Sequence, residues 1–178
     1  MFESIILIVV MLLFNAILAA YEMALASISK PRLMAFSHQK RKGADDALYM
    51  KDRIESSLAV IQIGITFAGA IAAATGGAGV VEILAPVLSA QWGVSKIVAQ
   101  FISLIFLVIP LGALTIIFSE LVPKVFALKN QEWVCLAFSP MMKIFSHIGY
   151  PIVIVFERIV NLIIGFGSKH WSPPDEFT

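Results

Sequence analysis

Charge is what this sequence has least of: 14% of its 178 residues are Asp, Glu, Lys or Arg, where an ordinary soluble domain carries about 25%. With 59% hydrophobic residues and a mean hydropathy of +0.89, that shortage excludes a water-exposed globular domain and points to an integral membrane protein. Cysteine is nearly absent too. The lone Cys135 excludes an intrachain disulfide and a cysteine-based metal site. A net charge of +1, with no aromatics interleaved among the basic residues, gives no hold on nucleic acid. The Gly-rich run Gly76-Gly77-Ala78-Gly79 lacks the Lys-Ser/Thr of a phosphate loop. No nucleophile and base stand at a spacing that marks an enzyme. The first residues hold no Lys or Arg, and the apolar run after them is too long for the core of a signal peptide, so it reads as a span that stays.

What is present is long apolar runs, and a bilayer needs about 20 such residues per helix. Three runs qualify as spans, at about 5–28, 57–77 and 97–122. Between the first two, residues 30–53 hold Lys30, Arg32, Lys40, Arg41, Lys42, Lys51 and Arg53, seven of the 13 basic residues. By the positive-inside rule this segment is cytoplasmic and the N-terminus lies outside. Residues 80–95 are apolar but broken by Pro86 and Gly93, and read as one or two short helices on the outer face. After the third span, 133–166 is interrupted by Pro140, Gly149 and Pro151. The piece from Pro151 is too short to span, so this region reads as a juxtamembrane belt along the inner interface. Residues 172–178 read as the start of a cytoplasmic linker. The expected fold is all-α: three transmembrane helices, a short outer helix pair and a cytoplasmic juxtamembrane belt helix in the cell membrane.

Polar residues inside these spans are few, and helical spacing groups them. On the first span Asn15, Ala19 and Glu22 fall at i, i+4 and i+7, on one stripe. On the second, Gln62 and Thr66 share a stripe, with Gly64 between them. The third has no charge from Ile97 to Ser119 and then places Glu120 at its inner end, beside Ser119 and four residues before Lys124. An ionisable group there costs roughly 2.5 kcal/mol or more at mid-bilayer and usually faces a pathway or a partner. Snorkelling to the interface with Lys124 is the plain alternative for Glu120, and interhelical hydrogen bonding is the plain alternative for Asn15 and Glu22. Counted from the inner boundary at about 1.5 Å per residue, Glu22, Thr66 and Glu120 lie at comparable depth, roughly 6 to 15 Å in. Two carboxylates among hydroxyls and carbonyls suit a hard or ammonium-type cation.

Three runs together carry a resemblance: Ala20-Tyr-Glu-Met-Ala-Leu-Ala-Ser-Ile-Ser-Lys-Pro-Arg-Leu, then Gln62-Ile-Gly-Ile-Thr-Phe with Gly76-Gly77, then Ser119-Glu-Leu-Val-Pro-Lys-Val-Phe-Ala-Leu. In this order they resemble the transmembrane domain of the CorC and cyclin M proteins, also called hemolysin-like, across essentially the whole chain. The resemblance implies efflux of Mg2+ or a related divalent cation, bound between three helices at an inner-leaflet site. It also implies a homodimer, with cytoplasmic CBS domains following the linker, and by analogy Na+ as coupling ion. Of the family's metal-holding positions, Glu120 and Gly64 carry over directly, with Thr66 in place of an amide. Ala19, Ile65 and Ser119 stand where the family has serine, asparagine and glycine. The Gln-Ile-Gly-Ile-Thr branch is associated with organic polyamine export, which makes a polyamine or diamine exporter the alternative cargo reading. A non-transporting membrane sensor or assembly module is the competing class.

Overall fold

The computed structural model describes residues 2–93 and 95–167, and every element among them is a helix. In chain order these are α1 (Phe2–Ser27), α2 (Lys30–His38), α3 (Ala44–Asp52), α4 (Ile54–Trp92), α5 (Lys96–Leu114), a π-helical turn (Thr115–Leu121), α6 (Val122–Lys129) and α7 (Gln131–Gly167). The expected linker at 172–178 lies outside the described residues.

α1 forms because residues 2–27 contain neither glycine nor proline and are apolar almost throughout. Its two halves have different surroundings. Phe2, Ile5, Val9 and Leu13 are exposed, as lipid-facing side chains are, while Leu18, Tyr21, Leu25 and Ile28 are fully or almost fully buried. The buried half packs with Leu33 and Phe36 of α2, Ala47 and Met50 of α3, Ile61 of α4, and Val134 and Met142 of α7. The core therefore sits at the end of the bundle that carries the basic helices. A smaller cluster, Ala85 and Leu88 on Ala99, ties the far half of α4 to α5.

Polar contacts fix the same end. The Tyr21 hydroxyl is 2.9 Å from Ser139 Oγ, joining α1 to α7 in the core. α1 has no basic residue in its last turn, and Lys51 of α3 supplies one, donating to the Leu25 and Ala26 carbonyls at 2.8 and 3.2 Å. Burial pushes the Lys51 pKa down from its ordinary value. Pro31 falls in the first turn of α2, where its missing N–H costs nothing. α7 is held to α2 and α3 by Arg32–Glu132 at 2.8 Å, by Lys143–Asp46 at 2.7 Å and by His147 stacked on Tyr49.

Two stretches differ from the expectation. The short outer helices expected over 80–95 are the continuation of α4, which runs unbroken through Pro86 to Trp92 and ends at Gly93 with φ +62°. Proline removes one intrahelical bond, and the packing of Ala85 and Leu88 on α5 holds the helix across that gap. α7 likewise continues through Pro140 and Pro151. The carbonyl that Pro140 leaves without its intrahelical donor is that of Leu136, and Gly43, at φ +81° in the α2–α3 turn, packs directly on it. Among the described residues, the segments long and apolar enough to cross a bilayer are Phe2–Ser27, Ile54–Gly76 and Gln131–Ile164. The third span expected at 97–122 falls on α5, the π turn and the first residue of α6.

Candidate functional site: a carboxylate pair at a π-helical turn

The π turn has a local cause. In an α-helix the N–H of residue 123 would bond to the carbonyl of Ser119, and Pro123 has none. The backbone adopts the wider spacing, with the Val122 N–H donating to the Ile117 carbonyl five residues back. Such single wide turns are frequent at functional sites. This one carries Ser119, which is buried, and Glu120.

Facing it is α1, which packs against both the π turn and α6. Lys124 Nζ donates to Glu120 Oε1 at 2.9 Å and lies 3.2 Å from Glu22 Oε2, so one ammonium bridges two carboxylates from different helices. The Lys124 and Glu22 side chains are 22% and 23% exposed and that of Glu120 44%. Because both oxygens lie within about 3 Å of one nitrogen, they are at most about 6 Å apart. Glu22 Oε2 is close enough to Lys124 to form an ion pair but lacks the alignment of a hydrogen bond, so this buried oxygen has no hydrogen-bond donor. Asn15 Oδ1, two turns away on the same α1 stripe, is a second buried acceptor without a donor.

The structure thus gathers Glu22, Glu120 and Lys124, with Ala19 and Ser119 buried nearby in sequence on the same two elements. It does not bring the second-span residues to them. The Thr66 hydroxyl donates to the Gln62 carbonyl at 2.8 Å, and both residues line a groove shared with Val153, Phe156 and Val160 of α7. Gly64 is placed for packing: a Cβ there would sit 2.8 Å from Leu18 Cδ1 and from Phe145 Cζ. Among the described residues no three His, Cys, Asp or Glu are grouped to hold a metal ion. Two features escaped the sequence reading. The π turn was signalled by Pro123, four residues after Ser119, and Lys124's bridge to Glu22 had no signal in the chain, because it depends on how two helices meet.

The cyclin M transmembrane N-terminal domain matches residues 6–176. A UPF0053 protein of Synechocystis sp. is 29% identical over 94% of this chain and 38% of its own length. A Haemophilus influenzae protein named polyamine export protein is 24% identical over 91% of this chain and 37% of its own. UPF0053 protein YrkA of Bacillus subtilis is 24% identical over 93% and 38%. The chain therefore spans about two fifths of the length of these relatives. On the match over nearly its whole length, the chain belongs to the cyclin M transmembrane domain family.

Proposed function

We propose that this domain exports cations and that Glu22 and Glu120 receive the cargo, with organic ammonium ions the class they fit best. The observation that carries this reading is the Lys124 ammonium between the two carboxylates, at 2.9 and 3.2 Å. It is a tethered example of the ligand. Glu22, Glu120 and Lys124 together keep one net negative charge, and the acceptor left over, Asn15 Oδ1, asks for an N–H or O–H donor. A diamine supplies both the positive charge and the donors. In the low dielectric of a membrane bundle such a match is worth far more than in water. The name of the Haemophilus influenzae relative agrees with it.

Mg2+ is the second reading, favoured because every unsatisfied buried atom here is an oxygen, the ligand a hard cation takes. For that cargo the bound ion would displace Lys124 and be held by Glu120 and Glu22 with Asn15 or retained water. Coupling to Na+, a homodimer and downstream CBS domains rest on the resemblance alone.

Flux from proteoliposomes separates the readings. The expected result is movement of 1,4-diaminobutane above empty vesicles, reduced at least tenfold by Glu120→Gln and by Glu22→Gln with the protein still folded. Flux of Mg2+ without diamine flux would transfer the site to the divalent cation. No flux of either would leave an assembly or sensor module.

A further inference from the structure

We propose that the wedge between α4 and α7 binds an anionic phospholipid, with its headgroup at Arg53 and an acyl chain along α4 from Ala59 to Phe67. At the end of the wedge that lies with the basic helices, Tyr49, Arg53, Ser56, His147 and Tyr150 enclose a cavity of about 310 Å³ that no carboxylate lines. The Arg53 guanidinium lies 4.2 Å over the Tyr49 ring and has no carboxylate partner among the described residues. Its neighbour Asp52 is already taken by Lys30 at 2.6 Å, and Glu55 lines, with Asp52, an adjoining cavity that shares Arg53, Ser56 and Tyr150. A free arginine flanked by hydroxyls and an imidazole is a phosphate-binding set, and basic pockets between membrane helices bind acidic headgroups.

One helical turn further along both helices, past Ser56 and Tyr150, the wall becomes mostly apolar, with Gln62 and Thr66 its polar members. Ala59, Ile63 and Phe67 face Val153, Phe156 and Val160 across a groove of about 720 Å³. Along α4 the distance from Ser56 to Phe67 is about 16 Å at 1.5 Å per residue, the depth of one leaflet of a roughly 30 Å hydrocarbon core. The groove is therefore as long as an acyl chain in its own leaflet and begins where a headgroup would lie. Close approach of α7 to α4 at Gly149, where a Cβ would stand 2.5 Å from Val60 Cγ1, forms the back of the wedge. A second copy of the chain would have to present an anion and a leaflet-long apolar strip in this order. A phospholipid carries both.

Native mass spectrometry of the detergent-purified chain, titrated with phosphatidylglycerol or with phosphatidylcholine of the same acyl chains, tests this. The wild type should retain phosphatidylglycerol several-fold more than phosphatidylcholine. Arg53→Gln should abolish the preference, Arg53→Lys should keep part of it, and Ala59→Trp, which fills the groove, should lower retention of both lipids. If Ala59→Trp fails to fold, the exposed Arg53 substitutions decide the matter by themselves. Equal retention of the two lipids by the wild type, or a preference that survives Arg53→Gln, would overturn the proposal. So would a lipid-free dimer that Ala59→Trp dissociates, which would give the groove to a second copy.

Discussion

Lys124 decides what kind of site two carboxylates make. Removing it leaves Glu22 and Glu120 at most about 6 Å apart with no counter-charge between them. Breaking a fully buried pair costs about 3–5 kcal/mol; these side chains are 22–44% exposed, which brings the expected cost of Lys124→Met to about 1–3 kcal/mol. The melting temperature should fall accordingly. Because the vacated position fits an ammonium, a millimolar alkylamine or diamine should restore much of the loss in Lys124→Met, while the wild type should respond weakly. A melting temperature unchanged by the substitution would mean that the bridge carries no energy. Rescue by NaCl as effective as that by the amine would reduce it to general screening.

At the scale of elements, close approaches are set by glycines whose environments differ, and this orders three substitutions. Gly43 has φ +81° and packs on the Leu136 carbonyl, so Gly43→Ala meets both backbone strain and a backbone atom that cannot yield. A Cβ at Gly149 would stand 2.5 Å from the stiff β-branched Val60, and one at Gly64 would meet only the ends of Leu18 and Phe145 at 2.8 Å. Loss of thermal stability should therefore rank Gly43→Ala above Gly149→Ala above Gly64→Ala, with overpacking of about 1–3 kcal/mol in the middle case. Gly64→Ala as the most damaging of the three would return that glycine to a role in the site. The same contrast shows what the sequence reveals. α1 and its Asn15–Ala19–Glu22 stripe were legible because helical phase follows from spacing alone. That Gln62 and Thr66 turn toward α7 was not legible, because spacing gives a stripe but not the neighbour it meets. The unbroken course of α4 through Pro86 and of α7 through Pro140 and Pro151 depends on tertiary packing that outweighs a local breaker.

For the whole molecule the open geometric question is how α7 lies, since Gln131–Ile164 is long and apolar enough to cross a bilayer. Polar contacts tie its first half to the charged helices. Glu132 meets Arg32, Lys143 meets Asp46 and His147 stacks on Tyr49, so α7 touches the charged helices α2 and α3 over 15 residues, about 22 Å of helix. The 20 residues that remain, 148–167, reach about 30 Å, just the thickness of the hydrocarbon core, and they would carry Glu157 and Arg158 through its middle at roughly 2.5–3.5 kcal/mol each. Crossing is therefore the costlier arrangement. The wild type is a ready parent for cysteine labelling, because Cys135 is fully buried. Cysteines at Lys40 and Lys42 should react from one side of the membrane only, a cysteine at Glu3 from the opposite side, and one at Glu176 from the same side as Lys40. Labelling of Glu176 from the side of Glu3 would make α7 a fourth span and remove the belt.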